Sequence, residues 1–411
     1  MTANRSWTML ASAVCFSAGA GGYLNPGPAS LPHNVAQIAL ATVRDSSGIR
    51  IVEYPNLAPK EPWFISRPSF VFDSWSRISD AFTIDSFPFR DIGGDGASVE
   101  LKDPFFASAV ELHDGEFMIA DKDRLVRIAA GGRVLSTSGR PGRGPGEFED
   151  IRSMCVFNRD TLLVIDKLGT ASLWDARGAH IRTIAEKDPF VWSSCDGRGH
   201  LVSVARPRLA TIDPNGLERR SLHWLARPSG DRIQSLGLLP APVMAGLLSW
   251  QPSLGWTRGE LVVARGRVYE LAWHHTDGRV RQIVRLTRKV ENISDGHWQK
   301  ILSDAVPAGS SSENRTRILQ VMGRKPNAAF PAHGPILVDT ERRVWVADFA
   351  DPSSLTVFAY DGSLLGRVQL RSALGTPRPT VVGVGANYIQ VREQDTDGFI
   401  HLRFYRLRPR G

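Results

Sequence analysis

An all-β fold, a β-propeller of six four-stranded antiparallel blades, is what this sequence predicts. Two observations carry the expectation: a phrase of four short strands that recurs along the chain, and turn residues that punctuate each phrase at matching places. The composition agrees. Of the 411 residues 42% are hydrophobic and 22% charged, the balance of a chain that folds rather than one that stays disordered. The 26 prolines, 38 glycines and 11 tryptophans fit many turns with large aromatic fillers between them.

Residues 1–20 read as an export signal. Arg5 is a minimal positive start, "WTMLASAVCFSAGA" is an apolar core, and Ala18 and Ala20 suit a cleavage site that leaves Gly21 first. Val14 stands where a small residue would precede a lipid-bearing cysteine, so secretion is preferred to lipidation at Cys15. Residues 21–42 read as a disordered or extended linker, and residues 43–411 as a single propeller domain. No second apolar run approaches the ~20 residues that cross a bilayer. The expected location is the periplasm or the cell exterior, with no transmembrane span and a monomeric ring.

The repeat is clearest in "RSMCVFNRDTLLVIDKLGTASLWDARGAHIRTIAE". It holds a short strand, the apolar strand Leu162–Ile165, a strand around Leu173–Asp175, a turn at Ala176–Gly178 and a strand to Ile184. The same phrase returns with apolar strands at Phe117–Ala120, Leu201–Val204, Leu261–Ala264 and Val344–Ala347. The late-turn glycines Gly132, Gly178, Gly216, Gly278 and Gly362 recur at about 40 residues where nothing is inserted, the period of a propeller blade. Five units are explicit. The segment from Thr380 supplies three more strands, a blade lacking one, and a strand near "FTIDSFPFRDI" is expected to cover its open edge. Seven blades is the competing count, because Arg227–Leu254 could hide strands.

The stretch "GRPGRGPGEFEDI", Gly139–Ile151, lies between two units. Its glycines, Gly142, Gly144 and Gly146 among them, allow positive φ in a tight crossover, and Pro145 fixes its own φ. Phe148 is expected to drop its ring between neighbouring sheets, a burial worth about 2–3 kcal/mol. A phosphate loop needs a Lys-Ser/Thr leading into a helix, and neither follows. The stretch reads as a structural turn.

These residues resemble an NHL-type repeat, matching it at Gly142, Gly144, Gly146, Phe148, Asp166, Trp174, Asp175 and Gly178. Ile151 departs from a common proline, and Lys167-Leu168 from the usual Asn-centred turn. "RDSSGIRIVEYPN" with "FPFRDIGG" also resembles the leader of exported bacterial six-bladed propellers of this type. The resemblance implies architecture more than activity, since such propellers include binding modules, lactonases and lyases.

Each candidate site has a structural alternative. Lactonase-like relatives hold a divalent metal with carboxylates from several blades, and no residue here matches those ligands. "DTDG" (Asp395–Gly398) and "DPNG" (Asp213–Gly216) read as hairpin turns, with no glutamate completing a calcium loop. His274 and His275 are adjacent on a strand and face opposite sides, which disfavours a shared metal. Cys155 and Cys195 occupy nearly equivalent places at the starts of consecutive units. A disulfide between them is conceivable in an oxidising compartment, but two small buried residues too far apart to bridge is the favoured reading. The segment near 293–325 breaks the β pattern and is expected to form short helices, offering Trp298, Arg315, Arg317, Arg324 and Lys325 as an aromatic and basic binding face.

The net charge of +8 is spread without any run of five basic residues, and an export signal argues against nucleic acid as partner. The sequence therefore points to a binding or scaffolding module for an unknown protein or small ligand, without a cofactor. The alternative is a metal-dependent hydrolase or lyase of the lactonase kind, with Ca²⁺ or Zn²⁺. No catalytic motif decides between them.

Overall fold

The computed structural model describes residues 41–54, 82–103, 106–112, 115–159, 161–184, 190–195, 197, 199–205, 217–226, 233–242, 253–257, 259–266, 268–275, 277–287, 294–296, 298–299, 311–313, 316, 332–349, 353–370, 379–395 and 397–409. The export signal, Asp213–Gly216 and most of the linker lie outside them.

Four strands precede the repeat: β1 (Thr42–Ser46), β2 (Ile49–Tyr54), β3 (Phe82–Ile84) and β4 (Arg90–Gly93). Blade 1 comprises β5 (Ser108–Glu111), β6 (Phe117–Asp121), β7 (Arg124–Ile128) and β8 (Val134–Ser138). Blade 2 comprises β9 (Ile151–Asn158), β10 (Thr161–Asp166), β11 (Ala171–Asp175) and β12 (His180–Ile184). Blade 3 follows as β13 (Phe190–Cys195), β14 (His200–Ala205), β15 (Leu217–Ala226) and β16 (Ile233–Pro242). Blade 4 is β17 (Ser253–Thr257), β18 (Glu260–Ala264), β19 (Glu270–His275) and β20 (Val280–Leu286). Blade 5 is β21 (Ile336–Val338), β22 (Val344–Ala347), β23 (Ser354–Phe358) and β24 (Leu364–Gln369). The chain closes with β25 (Thr380–Val384), β26 (Tyr388–Gln394) and β27 (Ile400–Pro409).

Consecutive strands thus build five four-stranded blades, not the six expected. The remaining sheet is composite. It joins β25, β26 and β27 to β3 and β4, which pair antiparallel with β27. The two short strands are the "FTI" and "RDIG" of the predicted edge cover, and they satisfy a row of backbone groups that would otherwise stay open. Part of Arg227–Leu254 forms β16, the outer strand of blade 3, rather than the start of a further blade. One pairing was not anticipated: β1 and β2 form a hairpin that extends blade 4, with β2 parallel to β20.

The first strands touch in sequence, β5 to β9 to β13 to β17 to β21 to β25 and back to β5, so they form the inner circle of the propeller. The blades face one another through apolar clusters. Val110, Met118 and Leu125 of blade 1 pack on Met154, Leu162 and Trp174 of blade 2, and Trp345 and Leu355 of blade 5 join the composite sheet's Val391 and Phe404. This sheet-on-sheet burial of alternate residues is what the strand pattern of the sequence provides.

Helix is confined, among the described residues, to 295–296, 298–299, 312–313 and 316. Most of 293–325, where a helical insertion is expected, lies outside the described residues; of those described, the first turn is closed by Trp298 N–H donating to Ser294 O at 3.0 Å.

Phe148 is buried and stacks on Trp174 with ring centroids 5.0 Å apart. The crossover is tied by Phe148 N–H to Arg140 O at 2.9 Å and Gly142 N–H to Phe148 O at 3.1 Å. Gly139, Gly142 and Gly146 take positive φ, but Gly144 does not. Gly144 instead donates its N–H to Glu147 Oε2 at 2.8 Å, and Pro145 after it limits its backbone. At Gly139 a side chain is opposed twice, by a φ of +83° and by the Phe148 ring, whose Cε2 would lie 2.7 Å from an added Cβ. Gly139→Ala is expected to cost about 1–3 kcal/mol in a urea unfolding curve. A neutral result would mean that the crossover re-forms without Phe148 in place.

Cys155 and Cys195 are joined by a disulfide, with Cα atoms 5.7 Å apart. This corrects the favoured sequence reading. β9 and β13 are neighbours on the inner circle, where first strands converge, and this brings the two sulfurs together.

Candidate functional site

Charged side chains gather where blades 1 and 2 begin and the second strand of the composite sheet approaches them. Asp103 lies in the segment entering β5. Its position is set by Asp121, fully buried at the end of β6, whose Oδ1 accepts Lys102 N–H at 2.7 Å and Asp103 N–H at 2.9 Å. Arg124 anchors the other oxygen of Asp121 at 2.8 Å. Asp103 Oδ1 in turn accepts the Phe106 N–H at 3.1 Å.

Asp150 ends the glycine-rich crossover, one residue before β9. Its Oδ2 accepts Arg152 Nη2 at 2.9 Å, while Oδ1 is buried and takes no donor from the described residues. Arg152 lies over the Phe106 ring, 4.0 Å from its centroid, an arrangement that holds the guanidinium in place. Burial pushes the Asp150 carboxyl up to about 6, against the pull of Arg152, and the neighbouring Asp103 carboxyl adds to the rise. Arg392 reaches in from β26 and donates to Ala107 O at 3.3 Å. Burial draws its guanidinium down to about 10, with Asp103 opposing the fall.

Two carboxyls and two guanidiniums thus meet at the inner circle, from three parts of the chain. Such a group can present donors and acceptors together and can hold or release a proton near neutrality. The pH dependence has a definite sign. A carboxyl whose pKa is higher folded than unfolded binds more protons in the folded state, so its contribution to stability is present below about pH 4 and is lost as pH rises through about 6. Asp150→Asn is therefore expected to flatten the fall in stability between those limits, read from denaturant midpoints across pH. An unchanged slope would remove Asp150 as the titrating group.

The residues singled out in the sequence are placed as follows. Trp298 is buried at 7% exposure, which leaves it little surface to offer a partner, and Arg315, Arg317, Arg324 and Lys325 lie outside the described residues. Asp395 Oδ1 accepts Asp397 N–H at 3.0 Å and Phe399 N–H at 2.8 Å, the bonds of a hairpin turn. His274 Nδ1 meets Gly278 O at 3.2 Å, and His275 Nδ1 lies 3.8 Å from Glu260. Among the described residues no three His, Cys, Asp or Glu side chains converge as a metal site. Asp103, Asp150 and Arg392 were missed by sequence reasoning; the one available signal was that Asp150 sits at the exit of the glycine-rich crossover.

No protein-family model matches the chain, and no curated protein matches it. Among solved structures it is similar to a Bacteroides fragilis protein whose name marks it as exported, with 11% identity, 88% of this chain and 100% of that one covered, and a TM-score of 0.50. It is also similar to a member of the DUF4221 family from Bacteroides vulgatus, at 10% identity, 80% and 99% coverage and a TM-score of 0.47. A third is regucalcin, a calcium-binding protein from Agrobacterium tumefaciens, at 14% identity, 81% and 96% coverage and a TM-score of 0.38. The first likeness bears on fold alone, and the other two are too loose to carry an argument. No helix among the described residues is long and apolar enough to cross a membrane.

Proposed function

We propose that this chain is an exported binding or scaffolding module of the NHL-like kind. Its ligand docks over Asp103, Asp150, Arg152 and Arg392. The observation that carries the reading is the half-buried Asp150 carboxyl beside Asp103, one of whose oxygens is enclosed without a donor, a polar arrangement that blade packing alone does not require. The first strands of the blades lead to this place, so a ligand here touches several blades at once. The test is a thermal-shift screen of neutral sugars, amines, carboxylic acids and short peptides against the full chain and Arg152→Gln. At least one class is expected to raise the melting temperature of the unaltered chain and to lose that effect in the variant. Hits that ignore the variant, or none at all, would sink the reading. The metal-dependent hydrolase alternative makes a separate forecast, a melting temperature raised by Ca²⁺ or Zn²⁺ after chelation.

A further inference from the structure

Phe87 is the most exposed large apolar side chain among the described residues, at 82%, and Phe89 two residues on is 42% exposed. No other two exposed large apolar residues among those described stand so close in the sequence. Single exposed apolar residues are ordinary on a folded surface, and an adjoining pair of rings is not. The pair lies on the edge of the composite sheet, where β3 passes into β4. Asp85 N–H donates to Arg406 O at 3.2 Å, and Phe89 N–H to Phe404 O at 2.9 Å. Between these two bonds Ser86, Phe87 and Pro88 stand opposite a single residue of β27, Tyr405, so the edge bows outward. A bulge with a proline guards an open edge against a further strand. Edge protection accounts for Pro88, but it does not call for an aromatic ring in water.

Cations flank the rings. Arg406 is exposed and lies over the Phe89 ring, 4.7 Å from its centroid, with no carboxylate partner among the described residues. Arg408 is exposed on the same face of β27, since Leu407 between them is buried. It pairs with Asp85 at 3.0 Å yet keeps 67% of its side chain exposed, and a surface pair of this kind holds weakly. A protruding ring with arginines beside it suits a protein partner poorly, because such interfaces need a broad complementary patch. A bilayer asks for no matching shape. The ring enters the headgroup and acyl boundary, and the arginines meet lipid phosphates.

We propose that the Phe87 bulge docks this chain on the surface of an anionic lipid bilayer, with Phe87 inserted and Arg406 and Arg408 on phosphate groups. Docking is reversible, because one ring and two cations fall short of a permanent anchor. None of the residues assigned to the ligand site takes part.

The experiment is co-sedimentation of the full chain with vesicles of phosphatidylcholine alone and of equal parts phosphatidylcholine and phosphatidylglycerol. Partition onto the anionic vesicles is expected to be about tenfold or more the stronger at low salt, and the difference shrinks as salt rises. Phe87→Ser weakens that partition about tenfold, the loss of one buried ring. Arg406→Gln weakens it about fivefold, the loss of one cation near an anionic surface. Both side chains are exposed, so neither variant is expected to move the denaturant midpoint. Phe87→Trp adds emission that bromine-labelled lipid quenches beyond the quenching of the unaltered chain, which places position 87 in the bilayer whatever residues 1–20 do. Glycerol phosphate, the soluble headgroup, does not displace the chain. Equal partition onto both kinds of vesicle, partition indifferent to Phe87 and Arg406, or no added quenching in Phe87→Trp overturns the proposal. Binding of soluble polyglutamate through Arg406, with the vesicles left untouched, also overturns it and assigns the face to an acidic protein instead.

Discussion

Serine at both Cys155 and Cys195 is expected to lower the unfolding free energy by about 4 kcal/mol. The bridge closes a loop between residues separated by 40 in sequence, and cross-linking a loop of that length removes roughly this much chain entropy from the unfolded state. The location adds to the effect. Both cysteines are buried in the cluster that joins blades 2 and 3, beside Phe157, Leu163 and Leu201, so the serine hydroxyls enter an apolar seam. Equilibrium urea unfolding of the oxidised chain and of the double variant measures the difference. Peptide mapping without reductant checks the bridge itself, since a linked Cys155–Cys195 fragment must appear. A loss below about 1 kcal/mol would mean that the bridge is absent from the protein in solution or that its unfolded chain is already compact.

What was legible in the sequence is what local physics sets. The Asp-x-x-Gly turns are an example: Asp175 Oδ1 accepts the N–H of Arg177 and Ala179 at 2.9 and 2.7 Å, bonds that a carboxylate makes with its own chain neighbours. The apolar strands at Leu162–Ile165 and Val344–Ala347 were legible for the same reason, as was the unpaired edge of the last three strands. The cysteines were half legible. Their equivalent offsets could be counted, but how far neighbouring first strands lie apart is a property of the ring. The site was not legible, because Asp103, Asp150 and Arg392 belong to different units and acquire their chemistry only by being buried together. Blade count failed in an instructive place. The composite sheet has no repeat of its own to count, because its outer strands come from near Phe82 and Arg90.

Through that composite sheet Phe404 becomes a point where a single substitution reaches several elements at once. Phe404 is fully buried on β27, with Phe117 of blade 1 at 4.8 Å, Tyr388 of β26 at 5.7 Å and Phe89, just before β4, at 6.1 Å between ring centroids. One ring therefore joins the N-terminal strand, the C-terminal strand and the first blade. Polar contacts beside it do the same: Arg403 Nε donates to Asp91 Oδ2 at 2.8 Å, and His401 Nδ1 meets Asp91 Oδ1 at 3.0 Å. Phe404→Ala is expected to cost about 3–5 kcal/mol, the range for emptying a buried aromatic site. Phe358→Ala, equally buried on β23 but packed on Tyr54 and Tyr269 rather than on the composite sheet, controls for a cavity made away from β4. The two are expected to match in unfolding free energy and to differ in where the native protein opens. Limited proteolysis of Phe404→Ala should cut near β4 well below the unfolding transition, because the strand that closes the sheet has lost its apolar anchor. Equal protection of β4 in both variants would mean that the backbone pairing with β27 and the Asp91 contacts hold the ring shut without the aromatic cluster.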